Sequence, residues 1–181
     1  MKIVVPTIGH LQNALTPASL RPQSHQAVIE ITPGGGWYSE LLAPLLRDQG
    51  TLTAAIIDPS SVTNKNAQTY YTNSNQALRD KFGAAANLYD QVKLQEFNMA
   101  SPNFGDNDSA DMVVTFRNVH NWMNAGTAEE NFGKFYAALK PGGILSVSPA
   151  WAGSIVRLRH DHAADSRPHP RHAGCELPVV A

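Results

Sequence analysis

"AVIEITPGGGWYSELLAPLL", residues 27 to 46, sets an apolar run ending in an acid against three glycines and a leucine-rich stretch. Residues 27–31, rich in β-branched side chains, read as a buried strand. Residues 37–48 read as a helix: Trp37, Leu41, Leu42, Leu45 and Leu46 recur at helical spacing, and Gly50 stops it. Pro44 lies inside that pattern and predicts a kink or an early end. Gly34, Gly35 and Gly36 fall between strand and helix. Three glycines at such a turn suit a backbone that something must approach closely. Glu30, just before them, is a carboxylate in an apolar run and needs a partner.

Working outward, the same alternation repeats. "TLTAAIID", 51–58, is a second apolar strand ending in an acid. Residues 65–82 carry weak helical spacing through Ala67, Tyr70, Tyr71, Leu78 and Phe82. "QVKLQEFNM", 91–99, alternates as a strand does, and "DMVVTF", 111–116, is another buried strand. Residues 127–139 place Phe132, Phe135, Tyr136 and Leu139 on one helical face. "KPGG", 140–143, ends that helix, and "ILSV", 144–147, is the fifth strand. Strands alternating with helices predict an α/β fold, a Rossmann-like doubly wound, mostly parallel sheet. Ligands of such sheets bind at the carboxyl ends of the strands where strand order reverses, which is where the glycines lie.

Composition bounds the partners. At 181 residues the chain is most simply one domain with a real core. A formal charge of −1 makes no electrostatic case for nucleic acid or an anionic membrane. One cysteine, Cys175, excludes an internal disulfide. Pro6, His10 and Gln12 interrupt the N-terminal apolar run too early for a signal peptide, and no stretch reaches the roughly 20 apolar residues of a membrane helix. The expectation is a soluble, cytoplasmic protein.

Three ligand classes use a glycine turn after a first strand. A phosphate loop needs GxxxxGK and then Ser or Thr, which is absent. A dinucleotide fold wants GxGxxG, and here Trp37, Tyr38 and Ser39 follow the triplet, so the third glycine is missing. "VIEITPGGG" resembles the first motif of class I S-adenosylmethionine-dependent methyltransferases, an acid ending the first strand and then G-x-G-x-G. Thr32 stands at the first glycine place, Pro33 fills the next, and Gly34 and Gly36 match the other two. Asp58 matches the acid ending the second strand, and Phe97, Asn98 and Met99 fall where the third strand meets the adenine. "ADMVVTFRNVHNW", 110–122, and "FYAALKPGGILSV", 135–147, resemble the fourth strand with its loop and the closing helix, turn and fifth strand. The likeness spans about residues 26–147 and is greatest to a group of bacterial predicted methyltransferases.

The resemblance implies S-adenosylmethionine as cofactor and methyl transfer to an unidentified small-molecule acceptor. It implies cofactor-binding roles for Glu30, Thr32, Gly34, Gly35, Gly36, Tyr38, Asp58, Asn98, Met99 and Phe116. Glu30 would face the methionyl end, and Asp58 would accept from both ribose hydroxyls. Asp58 also reads as an Asp-Pro turn, and "FNMASP" as a bare loop start. His120 is the candidate general base and Arg117 the candidate partner of an acidic substrate group. Each also reads structurally, the histidine packed and the arginine paired with a surface carboxylate. Trp37 reads best as a core aromatic. The alternative function is a non-catalytic methyltransferase-like protein that binds the cofactor or a partner without turnover.

The expected organisation is a lead-in over residues 1–26, a methyltransferase-like domain over 27–147 and an irregular tail over 148–181. The tail holds four of the seven histidines, four of the eight arginines and no lysine, and shows no helix–strand–strand pattern. The expected sheet therefore stops after five strands in the order 3-2-1-4-5, with the family's C-terminal strands missing. One edge and one face of the fifth strand should then lose their cover. The abrupt change in composition suggests a reading-frame shift near residue 148. His160, His162, His169, His172 and Cys175 match no zinc spacing, so no metal is expected.

Overall fold

The computed structural model describes residues 2–4 and 22–148. Twelve elements follow in chain order, counting a short 3-10 turn at Pro59–Ser61: β1 (Lys2–Val4), β2 (Ala27–Ile31), α1 (Ser39–Leu46), β3 (Thr51–Ile57), the turn, α2 (Lys65–Ala84), α3 (Ala86–Tyr89), β4 (Lys93–Phe97), β5 (Ala110–Phe116), α4 (Val119–Asn124), α5 (Ala128–Ala138) and β6 (Leu139–Ser148). The expected five strands are β2 to β6. All strand pairs are parallel, and the sheet order is β1-β6-β5-β2-β3-β4. Stripped of β1, this is the expected 3-2-1-4-5 order.

Two apolar layers cover the sheet. Val28, Ala54, Ile56, Met112, Val114 and Ile144 form one core with α1, α2 and α3. Ile29, Ile31, Ala55, Phe97, Val113, Leu145 and Val147 form the other, together with Phe104 and Phe135, whose rings meet at a tilt. Alternation along each strand divides the two sets, and burial on both faces explains the near-continuous apolar runs. At the amino ends, Asp111 ties three strands together. It accepts from the Ala27 amide at 2.8 Å and from Lys140 Nζ at 2.9 Å. Partial burial pushes its carboxyl up, but the Ala27 amide and the Lys140 ammonium outweigh burial and hold it below the usual carboxylate range.

Several expectations need correction. The fifth strand does not present a bare edge: β1 pairs with it, Ile3 opposite Leu145, so the lead-in supplies an edge strand. Nor does it lose a face, because Ile144, Leu145, Ser146 and Val147 are all buried. The "KPGG" turn is absorbed into β6, whose pairing with β5 shifts register between Ala110 and Met112. Gly142, at φ +82°, lets the strand take that irregular path. Trp37 is no core residue: it is 50% exposed, and Leu41 and Leu45 share its exposure. The helix begins at Ser39, not Trp37, which turns Ser39, Leu42, Ala43 and Leu46 inward instead. It runs through Pro44 and ends two residues later. The expectations for residues 148–181, including the His160–Cys175 cluster, lie almost wholly outside the described residues.

The glycine turn differs along its length. Gly34 and Gly36 both have positive φ, +57° and +71°. A Cβ at Gly34 would meet nothing within 4 Å, whereas one at Gly36 would lie 2.7 Å from Leu78 Cδ1. Leu78 is buried in the core and has little room to yield. Backbone strain is therefore matched while packing differs. Gly36→Ala should melt about 2–4 °C below Gly34→Ala, the equivalent of roughly 1 kcal/mol in a chain of this size. Differential scanning fluorimetry of the two variants measures the gap.

Candidate functional site

Strand order reverses at β2, which pairs with β3 on one side and β5 on the other. Successive loops leave the carboxyl ends of these strands toward opposite faces and open a crevice there. A cavity of about 180 Å³ occupies it. Its wall takes Thr32, Pro33 and Gly34 from the glycine turn, Ile57 from β3, Met99 from beyond β4, and Asn118, Asn121 and Trp122 from the β5–α4 segment. Tyr70, Tyr71, Ser74 and Asn75 complete it from α2. A second, more open depression of about 690 Å³ lies between residues 101–107 and α5. It shares no wall residue with the first.

Glu30 lies just beneath the glycine turn and is fully buried. Its Oε2 accepts from Ser39 Oγ at 2.6 Å, at the start of α1. Its Oε1 is buried without a hydrogen-bond partner. Burial pushes the carboxyl up from 4.5 to about 7, against the downward pull of the Ser39 bond and of the Lys81 ammonium. Lys81, from α2, reaches over the same turn. Its Nζ donates to the Gly35 carbonyl at 2.9 Å and lies 3.4 Å from the Gly36 carbonyl, and it pairs with Glu40. A cation thus clamps the turn from outside while a carboxyl lies under it.

The expected site residues fall into four groups. Thr32, Gly34 and Met99 come together on the cavity wall. Glu30, Gly35, Gly36, Tyr38 and Phe116 lie in or around the glycine turn without lining the cavity. Tyr38 stacks on Phe116, ring centroids 3.3 Å apart and planes 7° from parallel. Its hydroxyl is pushed up by burial, opposed by Arg117 and reinforced by Glu30. Asp58 and Asn98 are engaged locally. Asp58 accepts from Ser60 N and Ser60 Oγ, both at 2.8 Å, and so caps the 3-10 turn. Asn98 Oδ1 accepts from the Ala100 amide at 2.7 Å. Arg117 and His120 are exposed and outside the cavity wall. Among the described residues no group of three or more His, Cys, Asp or Glu could hold a metal ion.

The α2 contribution was missed in the sequence. Asn75 is buried, and its Nδ2 donates at 2.8 Å to the Ile57 carbonyl at the end of β3. Tyr70, Tyr71, Ser74 and Asn75 sit at i, i+1, i+4 and i+5, one helical face, and that spacing was the available signal.

With strand order, helix placement and crevice described, the chain has the fold of class I S-adenosylmethionine-dependent methyltransferases. A structure of an S-adenosylmethionine-dependent methyltransferase from Aquifex aeolicus superposes with a TM-score of 0.50 and 15% identity, covering 69% of this chain and 56% of that one. The precorrin-6y C5,15-methyltransferase of Geobacter metallireducens gives 0.49 and 21%, covering 71% and 57%. The glycopeptide N-methyltransferase MtfA, complexed with S-adenosylhomocysteine, gives 0.49 and 19%, covering 66% and 41%. The chain spans about half the length of these solved structures. No family profile matches it, and no curated protein matches it.

The buried Glu30 makes stability depend on pH. A carboxyl whose folded pKa is about 7 against 4.5 is neutral in both states below pH 4.5, and there it costs nothing. As pH rises from 4.5 to 7 the unfolded chain ionises first, and that stability is lost. Above pH 7 the loss levels off at about 3 kcal/mol. Glu30→Gln keeps an acceptor for Ser39 and removes the titration. Its melting temperature should match the parent near pH 4.5 and exceed it by several degrees at pH 8, as thermal melts across that range would show.

Proposed function

We propose that the chain binds S-adenosylmethionine and transfers its methyl group to a small-molecule acceptor. The observation that carries the reading is the open cradle at Gly34 and Gly35, where an added Cβ would meet nothing, set over a buried carboxylate oxygen without a partner. The cradle lies at the point where strand order reverses. Backbone of this kind suits a ligand that packs against the main chain. Glu30 suits the ammonium of its amino-acid end, since an unpaired buried oxygen gains most from a cation or a donor.

In this reading residues 27–147 are the cofactor-binding domain. Thr32 and Gly34 to Gly36 hold the amino-acid portion, and Tyr38, stacked on Phe116, closes that end of the crevice. Asp58 holds the ribose by exchanging its Ser60 bonds for the two hydroxyls. Met99 packs the adenine face and Asn98 meets its edge. The bound group supplies a methyl that is already activated. The chain's work is to align donor and acceptor and to exclude water, which can supply much of the rate. Arg117 and His120, exposed beside the crevice, meet the acceptor. Among the described residues no helix is long and apolar enough to cross a membrane, and a cytoplasmic location accords with that.

A second reading, a binder without turnover, is favoured by one observation. Among the described residues, tyrosine hydroxyls are the sole ionisable side-chain groups on the cavity wall, and His120 stands outside it. Incubation with labelled S-adenosylmethionine and a pool of small metabolites separates the two. Protein-dependent release of S-adenosylhomocysteine supports transfer, and binding without release supports the alternative.

Calorimetric titration tests the cofactor itself. S-adenosylmethionine and S-adenosylhomocysteine should bind below about 1 mM, a limit of ~4 kcal/mol. If neither does, the reading is lost, and a thermal shift with NADH alone would replace it with a nicotinamide ligand. Gly34→Val should abolish binding, because its side chain projects into the open cradle.

A further inference from the structure

Asn118 sits where the turn after β2 meets the loop after β5. Its Nδ2 lies 3.0 Å from the Phe116 carbonyl, 3.2 Å from Thr115 Oγ1, 3.3 Å from the Ile31 carbonyl and 3.5 Å from the Thr32 carbonyl. Two hydrogens are thus shared among four oxygens, two on its own segment and two across the crevice. Three of the four are carbonyls, which can only accept, so the nitrogen and not the oxygen of the amide must face them. The side chain is half-buried and lines the cavity.

Both segments that Asn118 joins are strained. Among the described residues three that are not glycine have positive φ, and two of them are Thr32 at +48° and Arg117 at +62°. For a β-branched residue such as Thr32 the left-handed region is a true outlier. Such backbone persists only where its surroundings over-determine it. Thr32 is held by its N–H, which donates to the Ala55 carbonyl at 2.8 Å, and by its Oγ1, which donates to the Ile31 carbonyl at 2.8 Å. Neither bond touches the Thr32 carbonyl, the group that turns as the chain leaves for Pro33 and Gly34. Asn118 alone, among the side chains with described bonds, reaches that oxygen.

We propose that Asn118 is a positioning residue. Its amide holds Thr32 in the left-handed conformation and thereby sets the cavity wall formed by Thr32, Pro33 and Gly34. A glycine at position 32 would take that conformation at no steric cost and would make the amide dispensable. The inference deepens the cofactor reading, and its functional half rests on that reading.

A double-mutant cycle tests it with the full chain: the parent, Asn118→Ala, Thr32→Gly and the double variant, each measured by thermal melting and by S-adenosylhomocysteine titration. In the Thr32 background, Asn118→Ala should lower the melting temperature by about 3–6 °C and weaken binding about tenfold. In the Thr32→Gly background it should cost less than half as much in both. Equal losses in the two backgrounds would overturn the proposal, since a merely structural amide costs the same whatever stands at position 32. If Asn118→Ala does not fold, the double variant decides: recovery of a cooperative melt supports the proposal, and failure overturns it. A parent that binds no S-adenosylhomocysteine defeats the cofactor reading, while the melting half of the cycle still judges the staple.

Discussion

The central strand β2 is hydrogen-bonded along both edges, to β3 through Ala27–Ile31 and to β5 through Val28–Ile31. Its backbone groups are therefore committed over its whole length, and any ligand must meet the chain just beyond Ile31. That constraint organises the rest. The helix after β2 packs on one face and the helices after β5 on the other, so the two loops part and the crevice opens between them. Those two loops give Thr32, Pro33, Gly34, Asn118, Asn121 and Trp122 to the cavity wall, and α2 and the segment after β4 close its other side.

What surrounds the crevice is a set of opposed electrostatic and conformational tensions. Glu30 lies in a dry layer that raises its pKa toward neutrality, yet Ser39 satisfies one oxygen and leaves the other free. Lys81 reaches across from α2 to carbonyls of the turn and draws the same carboxyl down. Thr32 and Arg117 hold strained backbone on either side of the Asn118 amide. Strained backbone persists only where its surroundings over-determine it, and here the over-determination comes from segments distant in the chain. Fold likeness adds the architecture and no ligand or activity of its own.

The fold was largely legible in the sequence because its signals are local. Short β-branched runs ending in Glu30 and Asp58, and the alternation of strand with helix, lead directly to a parallel sheet. Errors arose where a choice depended on neighbours distant in the chain. Trp37, Leu41 and Leu45 have helical spacing, but so do Leu42 and Leu46, and only the sheet surface decides which stripe turns inward. The edge of β6 could not be assigned from its own residues, since the strand that covers it comes from the opposite end of the chain. Part of the crevice was legible: the glycine turn with Glu30 at its foot follows directly from the order of residues along β2, while the α2 wall of Tyr70, Tyr71, Ser74 and Asn75 escaped notice in a polar helix.

The sequence by itself determined the strand-to-glycine-to-helix turn, the α/β class and the placement of a carboxyl beneath three glycines. Those features follow from side-chain period and backbone freedom, which act within a few residues. Only the tertiary structure decided that Glu30 keeps one oxygen unpartnered, that Lys81 clamps the turn from 41 residues beyond Glu40, and that Asn118 reaches back 86 residues to Thr32. Threonine where the resembling motif has glycine looks, in sequence, like a defect. Folded, it is a strained residue with a side-chain amide beside it, because hydrogen bonds between distant segments exist only once the sheet has brought their ends together.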